Sequence, residues 1–275
     1  MSVELSDAKL PSFRGGSFRL FNILRCPMRW LSLFAAVGML FFQMPRRDLP
    51  ENIYPEWFFA PPLSGGPFSV GYSDEHARGD SAVNAATREA AVNYVKSQRV
   101  QIIGEQGMAT FAAGKIPVGS TIKEQYDEEA ARNLGSTMKA VDWFLRKGAA
   151  TVIASTDSTP VTGRNRRIDA AKVKEPVWVT SVPDSQGYIF STGLAPVYYH
   201  ENNSWREAER KARTNLALSL YSQIKFLGKK MDDVYYREFQ VEETNVTLVG
   251  ARVAARWKDV KNRICYVLIR MPLAQ

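Results

Sequence analysis

The stretch Tyr188-Ile189-Phe190-Ser191-Thr192-Gly193-Leu194-Ala195 reads as a short strand, and Ser204-Trp205-Arg206-Glu207 shortly after it opens a helix. Serine and glutamate three residues apart form a capping box, in which each side chain satisfies a free backbone donor at the helix start. Beyond it Trp205, Ala208, Ala212, Leu216, Leu220, Ile224 and Leu227 advance in steps of three or four, so one helix face is buried. Two further strands follow, Val246 to Trp257 and Arg263 to Arg270, with Asp259 to Asn262 as the turn of a hairpin. Strand, helix and hairpin in that order predict an α+β module in which one helix covers one face of an antiparallel-containing sheet.

The same landmarks recur earlier in the chain. Pro55-Glu56-Trp57 matches Glu175-Pro176-Val177-Trp178, and Phe68-Ser69-Val70-Gly71-Tyr72 matches the strand that ends at Gly193. His76 and His200 follow these strands, and a helix near Ser81 to Ser97 carries Val83, Ala86, Ala90 and Tyr94. A second hairpin is read in Ser136 to Trp143 and Ala149 to Ser155, with Arg146-Lys147-Gly148 at its turn. The tryptophans lie 121 residues apart at the start (Trp57, Trp178) and 114 apart at the end (Trp143, Trp257), which points to a duplication with loop changes. The expected organisation is residues 1–47 as an export segment, 48–158 as a first module with an insertion near 104–133, 159–174 as a linker, and 175–275 as a second module. Thr159-Pro160, Gly163 and the bases Arg164, Arg166 and Arg167 mark that linker.

The formal net charge of +8 invites a nucleic-acid reading, and the placement of the charge argues against it. Residues 1–47 hold seven of the 36 bases and two of the 28 acids, so the remainder is close to balance. A balanced body gives little of the counterion release that drives non-specific nucleic-acid binding. With two cysteines, Cys26 and Cys265, a disulfide framework is excluded, and Cys265 within Ile264-Cys265-Tyr266-Val267-Leu268-Ile269 reads as a buried strand residue.

Trp30 to Phe42, WLSLFAAVGMLFF, contains no charged residue and follows a basic stretch that includes Arg19, Arg25 and Arg29. A basic region followed by an apolar run of this length is the pattern of an export signal, shorter than the ~20 residues of an ordinary spanning helix. No small-residue cleavage pattern follows, so the segment is either a signal peptide or an uncleaved anchor through residues 30–44. Cys26 precedes the run, which is the wrong side for a lipoprotein signal. By the positive-inside rule the N-terminus faces the cytoplasm and the body the periplasm.

Chemistry is sparse. His76 and His200 are the chain's two histidines, set in matching places beside Glu75 and Glu201, and read as loop or capping residues. No set of His, Cys and carboxylates has metal-ligand spacing, so neither metal nor cofactor is expected. Gly114-Lys115-Ile116-Pro117-Val118-Gly119-Ser120-Thr121 has phosphate-loop glycine spacing, yet Ser120 stands where the lysine belongs and Pro117 removes a donor. The candidate contact residues are Arg164, Arg166 and Arg167 in the linker and the aromatics Trp57, Phe58, Phe59, Tyr198 and Tyr199.

Residues 176–273 resemble the bacterial Lpp-twenty lipoprotein family and the related modules of flagellar-assembly envelope proteins. The likeness lies in Gly193-Leu194-Ala195, in the helix pattern Ala208, Ala212, Arg213, Leu216 and Ala217, and in the closing Tyr266-Val267-Leu268. The lipidated cysteine of that family is missing here. The resemblance implies a non-enzymatic envelope interaction or assembly module and transfers no catalytic residue. The expected function is therefore a scaffold or adaptor on the periplasmic side of the inner membrane, contacting other envelope proteins or further copies of itself. The rivals are a module that binds cell-wall glycan or lipid and an exported hydrolase with an unfamiliar site.

Overall fold

A computed structural model describes residues 49–63, 67–111, 114–157, 166–229 and 243–273. Residues 1–47, expected to be an export segment, with their apolar run and Cys26, and the linker base Arg164 lie outside the described residues. In order the chain forms β1 (Ile53–Pro55), α1 (Glu56–Phe59), β2 (Ser69–Glu75), α2 (Gly79–Gln98), β3 (Arg99–Phe111), β4 (Gly114–Gln125), α3 (Glu128–Thr137), β5 (Lys139–Arg146) and β6 (Ala149–Ser155). There follow β7 (Arg167–Asp169), a 3-10 turn (Ala170–Lys172), α4 (Val177–Thr180), β8 (Tyr188–Pro196), α5 (Glu201–Lys229), β9 (Glu243–Val249), β10 (Arg252–Asp259) and β11 (Ile264–Pro272). The class is α+β, and every described strand pairing is antiparallel.

Two three-stranded sheets have the same connectivity, β2-β6-β5 and β8-β11-β10, each with the strand before the helix paired to the last strand of the hairpin. Each rests on its helix through a glycine. A Cβ at Gly71 would strike the backbone of Ala86 and Ala90, and one at Gly193 the backbone of Ala208 and Ala212, so only glycine lets helix and strand approach this far. In each pair an asparagine one turn further along the helix donates to the strand's carbonyl, Asn93 to Val70 O and Asn215 to Thr192 O, both at 2.9 Å. That bond occupies a carbonyl on an edge strand.

Several expectations are corrected in detail. Val246 to Trp257 is not one strand: Gly250 sits at φ +75° and breaks it into β9 and β10. The freed β9 pairs with β3, from Arg99 opposite Val249 to Glu105 opposite Glu243, so a third sheet, β4-β3-β9, ties the two parts of the chain together. Trp143 and Trp257 do not correspond. Gly71, Val152 and Trp143 share one row and Gly193, Val267 and Arg256 the other, which makes Arg256 the counterpart of Trp143. A one-residue slip reverses every side chain in a strand. Accordingly Trp143 packs beside the α2 core, while Trp257 lies on the opposite face and donates to Val173 O.

Ser204 is not a helix cap either. Helix α5 begins at Glu201, and the Ser204 hydroxyl accepts from Tyr198 N–H at 2.7 Å while Glu207 pairs with Arg210. Ser136 and Thr137 end α3 rather than starting a strand, their hydroxyls donating to Asn133 O and Leu134 O, and Asp127 caps the start of that helix by accepting from Ala130 N–H at 2.8 Å. The glycine-spaced stretch from Gly114 belongs to the extended strand β4, paired along β3. Part of the linker is ordered structure, with β7 paired to β1 and Ala170 buried.

The core has two parts. Between α2 and its sheet, Ala82, Ala86 and Ala90 meet Ala150, Val152 and Ala154. On the other face of that sheet Val70, Tyr72, Phe144 and Ile153 join Tyr54, Trp57 and Phe58 from β1 and α1 and Trp205, Ala208, Ala212 and Leu216 from α5. Residues 45–275 thus form one compact unit.

Candidate functional site

Trp57 and Phe58, proposed from sequence as contact residues, are both 0% exposed. Pro55 leads into a single helical turn that folds them inward, where Phe58 stacks on Tyr54 at 5.1 Å and the Trp57 indole donates to Asp142 at 2.9 Å. Phe59 is buried beside them. Of the remaining candidates, Tyr198 and Tyr199 are at the surface, and Lys147 lies over the Tyr199 ring at 5.0 Å. Arg166 and Arg167 are exposed at the start of β7. His76 and His200 occupy the loops after β2 and β8, half-buried, with His200 edge-on to Tyr199 at 4.8 Å. The structure does not bring these residues into one site.

What it does gather is a set of charges that sequence reading passed over. Glu201 opens α5, and its carboxylate takes four donors. Tyr54 Oη and Trp205 Nε1 donate to Oε1, the latter at 3.0 Å, and Arg146 (3.0 Å) and Lys258 (3.1 Å) donate to Oε2. Burial opposes ionisation here, but the two cations and the hydrogen bonds outweigh it and hold the Glu201 carboxyl below its usual range. Tyr54 is pushed well up by burial and by the adjacent Glu201 charge, and burial likewise raises the Cys265 thiol. A tyrosine, a lysine and a glutamate in contact have the ingredients of an acid–base site. With four donors bound, however, Glu201 has no lone pair left to accept a substrate proton.

Two turns on, Glu209 accepts from Tyr72 Oη at 2.5 Å and from Arg256 at 2.7 Å, and Arg256 also donates to Phe58 O at 3.0 Å. Glu209 and Arg256 are 3% and 4% exposed, a buried pair whose remaining hydrogen-bonding capacity is largely met. Arg206 grips Glu89 with two nitrogens at 2.8 and 2.7 Å and reaches Asp74 at 2.6 Å, while Arg213 and Lys96 share Glu124 at 2.7 and 2.8 Å. Asn202 donates to Ser73 O and Ala150 O. The α5 residues at 202, 206, 209 and 213 therefore form a polar stripe that fastens this helix to β2, α2 and β4. Their spacing of four, three and four was visible in the sequence and is the signal that could have found them.

Between α2 and α5 lies a cleft of about 440 Å³ whose rim includes Arg88 and Arg210. Among the described residues no group of three or more His, Cys, Asp and Glu could hold a metal ion, and no helix is long and apolar enough to cross a membrane. No family model, no curated protein and no solved structure matches the chain.

Proposed function

We propose that the protein is a non-enzymatic scaffold or adaptor of the cell envelope, held at the periplasmic side of the inner membrane by residues 30–44 and built from two copies of one module. The duplication is supported by the shared strand connectivity and by the paired contacts of Gly71 with Gly193 and Asn93 with Asn215. The Lpp-twenty resemblance of residues 176–273 agrees with an assembly role.

One observation carries the functional reading. With the side chains of residues 105–121 set aside, every large hydrophobic side chain that is exposed among the described residues lies between Val177 and Leu273. In the first module the corresponding surface is covered by α1 and α5. In the second, Tyr188, Leu194, Tyr198 and Tyr199 stay open along β8 and the loop after it. Leu194 is 48% exposed, whereas its counterpart Tyr72 is 1% exposed. An open apolar strip on an otherwise well-packed body marks a protein contact, with another envelope protein or a second copy as the partner.

Fractionation with cross-linking of the full chain tests this reading. The parent should sediment with inner membrane and form a cross-linked species that Leu194→Asp with Tyr199→Asp abolishes. A chain found with cytosolic markers, or cross-links unchanged by the substitutions, would count against it. The exposed Arg166 and Arg167 support a second reading, binding to an anionic cell-wall polymer, which co-sedimentation with isolated wall material would reveal through its loss in the Arg166→Ala/Arg167→Ala variant.

A further inference from the structure

We infer that the cleft between α2 and α5 is a binding site for a phosphate-type anion, gripped by Arg88 from one helix and Arg210 from the other. The inference stands apart from the scaffold reading and from the apolar strip on β8.

It begins with the accounting of charge inside the cleft. Its walls carry five bases, Arg88, Lys96, Arg206, Arg210 and Arg213, against three acids, Glu89, Glu124 and Glu209. All three acids are engaged: Glu89 by Arg206, Glu124 by Arg213 together with Lys96, and Glu209 by Arg256 and Tyr72. The engaged pairs form the floor. Arg88 is exposed, and among the described residues it has neither a hydrogen bond nor an ion pair. Among the described residues Arg210 is held only by Glu207, its own neighbour one turn back, with 40% of its side chain exposed. Exposed pairs of this kind contribute little and are readily exchanged for a better acceptor.

The volume is that of a small-ligand pocket, for which about 300–1,000 Å³ is usual. Val92 and Asn93 line the α2 wall between the charged ends, so the cleft combines an apolar stretch with convergent donors. Two guanidinium groups from facing helices, each with fork geometry, suit the several oxygens of a phosphate better than a single carboxylate or chloride. A phosphate here would meet Arg88, the lining base that has no partner among the described residues, and Arg210, whose partner Glu207 it can displace. The same chemistry is offered by a free phosphorylated molecule and by the headgroup of an anionic lipid.

The test uses the full chain, with inorganic pyrophosphate as the soluble probe and vesicles of phosphatidylglycerol, compared with phosphatidylcholine, as the membrane probe. Binding of at least one phosphate probe should weaken by about tenfold in Arg88→Ala and again in Arg210→Ala, the size of one lost charged hydrogen bond. Arg167→Ala, a base outside the cleft, should bind as the parent does. Glu207→Gln should bind more tightly than the parent, because it frees Arg210 without removing a cleft residue. Any membrane contact through the apolar N-terminal run is common to all variants and cancels in the comparison. Loss confined to pyrophosphate identifies a soluble ligand, and loss confined to phosphatidylglycerol vesicles a headgroup. If the parent binds neither probe, or if Arg88→Ala, Arg210→Ala and Glu207→Gln all bind as the parent does, the inference is overturned.

Discussion

Replacing Gly193 with alanine probes the tightest contact between α5 and its sheet. A Cβ built there lies 2.2 Å from Ala208 O, 2.3 Å from Ala212 N and 2.8 Å from Ala212 Cα, where ordinary contact begins at 3.4 Å. All three neighbours are backbone, so no rotamer change relieves the overlap, and strand and helix must part by about 1 Å. The helix cannot yield freely, because Arg206 is tied to Glu89 and Glu209 to Arg256 on its polar stripe. Overpacking of a core commonly costs about 1–3 kcal/mol, and a backbone clash on this scale belongs at the upper end. For a unit of roughly 230 residues, each kcal/mol lowers Tm by about 2–4 °C, giving an expected drop of about 6–12 °C. Thermal unfolding followed by far-ultraviolet circular dichroism would measure it. Gly71→Ala should cost a similar amount, since its Cβ would meet Ala86 O and Ala90 N in the same way. Gly187→Ala is the comparison, with φ at +81° but nothing within 4 Å of the added methyl, so that only the left-handed backbone is penalised. A Gly193→Ala protein that melted within about 2 °C of the parent, against the slope expected for its size, would refute the packing described here.

Two further outcomes follow from the buried charges. Arg256→Leu leaves Glu209 in the interior with Tyr72 as its remaining donor, and urea unfolding should register a loss of about 3–5 kcal/mol, most of it recovered when Glu209→Leu is added. A double variant as unstable as the single would show that the pair itself stabilises the fold. In acid, Glu201 and Glu124 act together: burial disfavours their charge, but Arg146 and Lys258 in one case and Arg213 and Lys96 in the other hold both carboxyls low. Their contribution is present above the unfolded carboxylate value of about 4.3 and is lost as pH falls through the lower folded values. Glu89, raised by burial despite Arg206, works in the opposite sense, and its cost is relieved on acidification. Tm should therefore fall below about pH 4.3 less steeply in Glu201→Gln than in the parent, and equal slopes would remove Glu201 from the account.

Much of the layout was legible because it rests on local periodicity. Alternation ending at Gly71 and Gly193, and small residues at Ala86, Ala90, Ala208 and Ala212, fixed which strand lies under which helix. The turn at Arg146-Lys147-Gly148 was readable because Lys147 and Gly148 both adopt positive φ, the requirement of a tight hairpin. Three things were hidden. Gly250 looks like an ordinary interior glycine, and only the pairing of β9 with β3 reveals why the chain breaks there. The hairpins carry bulges at matching places, between Ala140 and Asp142 and between Val253 and Ala255, but their turns differ, Lys147-Gly148 in one and Val260 to Arg263 in the other, which defeats the matching of tryptophans by spacing. The burial of Trp57 and Phe58 depends on α5, some 150 residues away, and no local pattern reports such a partner.

The charged stripe of α5 shows why one-sided amphipathicity misled. A helix packed on a single sheet needs a single apolar face, and Trp205, Ala208, Ala212 and Leu216 supply it. Residues 202, 206, 209 and 213 lie on the adjacent face and would ordinarily be solvated. Here that face meets β2 and α2, whose own polar groups are edge carbonyls and the acids Asp74 and Glu89. Leucines at these positions would bury more apolar surface, but they would leave Ser73 O, Tyr72 O and Glu89 without donors. Each unpaired buried group costs about 1–3 kcal/mol. Polar side chains at fixed spacing satisfy those groups in one register only, so the stripe specifies how the second helix seats against the first sheet. The bonds that lock this register also consume the acids of the α2–α5 cleft, which leaves Arg88 without a partner among the described residues and Arg210 with Glu207 alone.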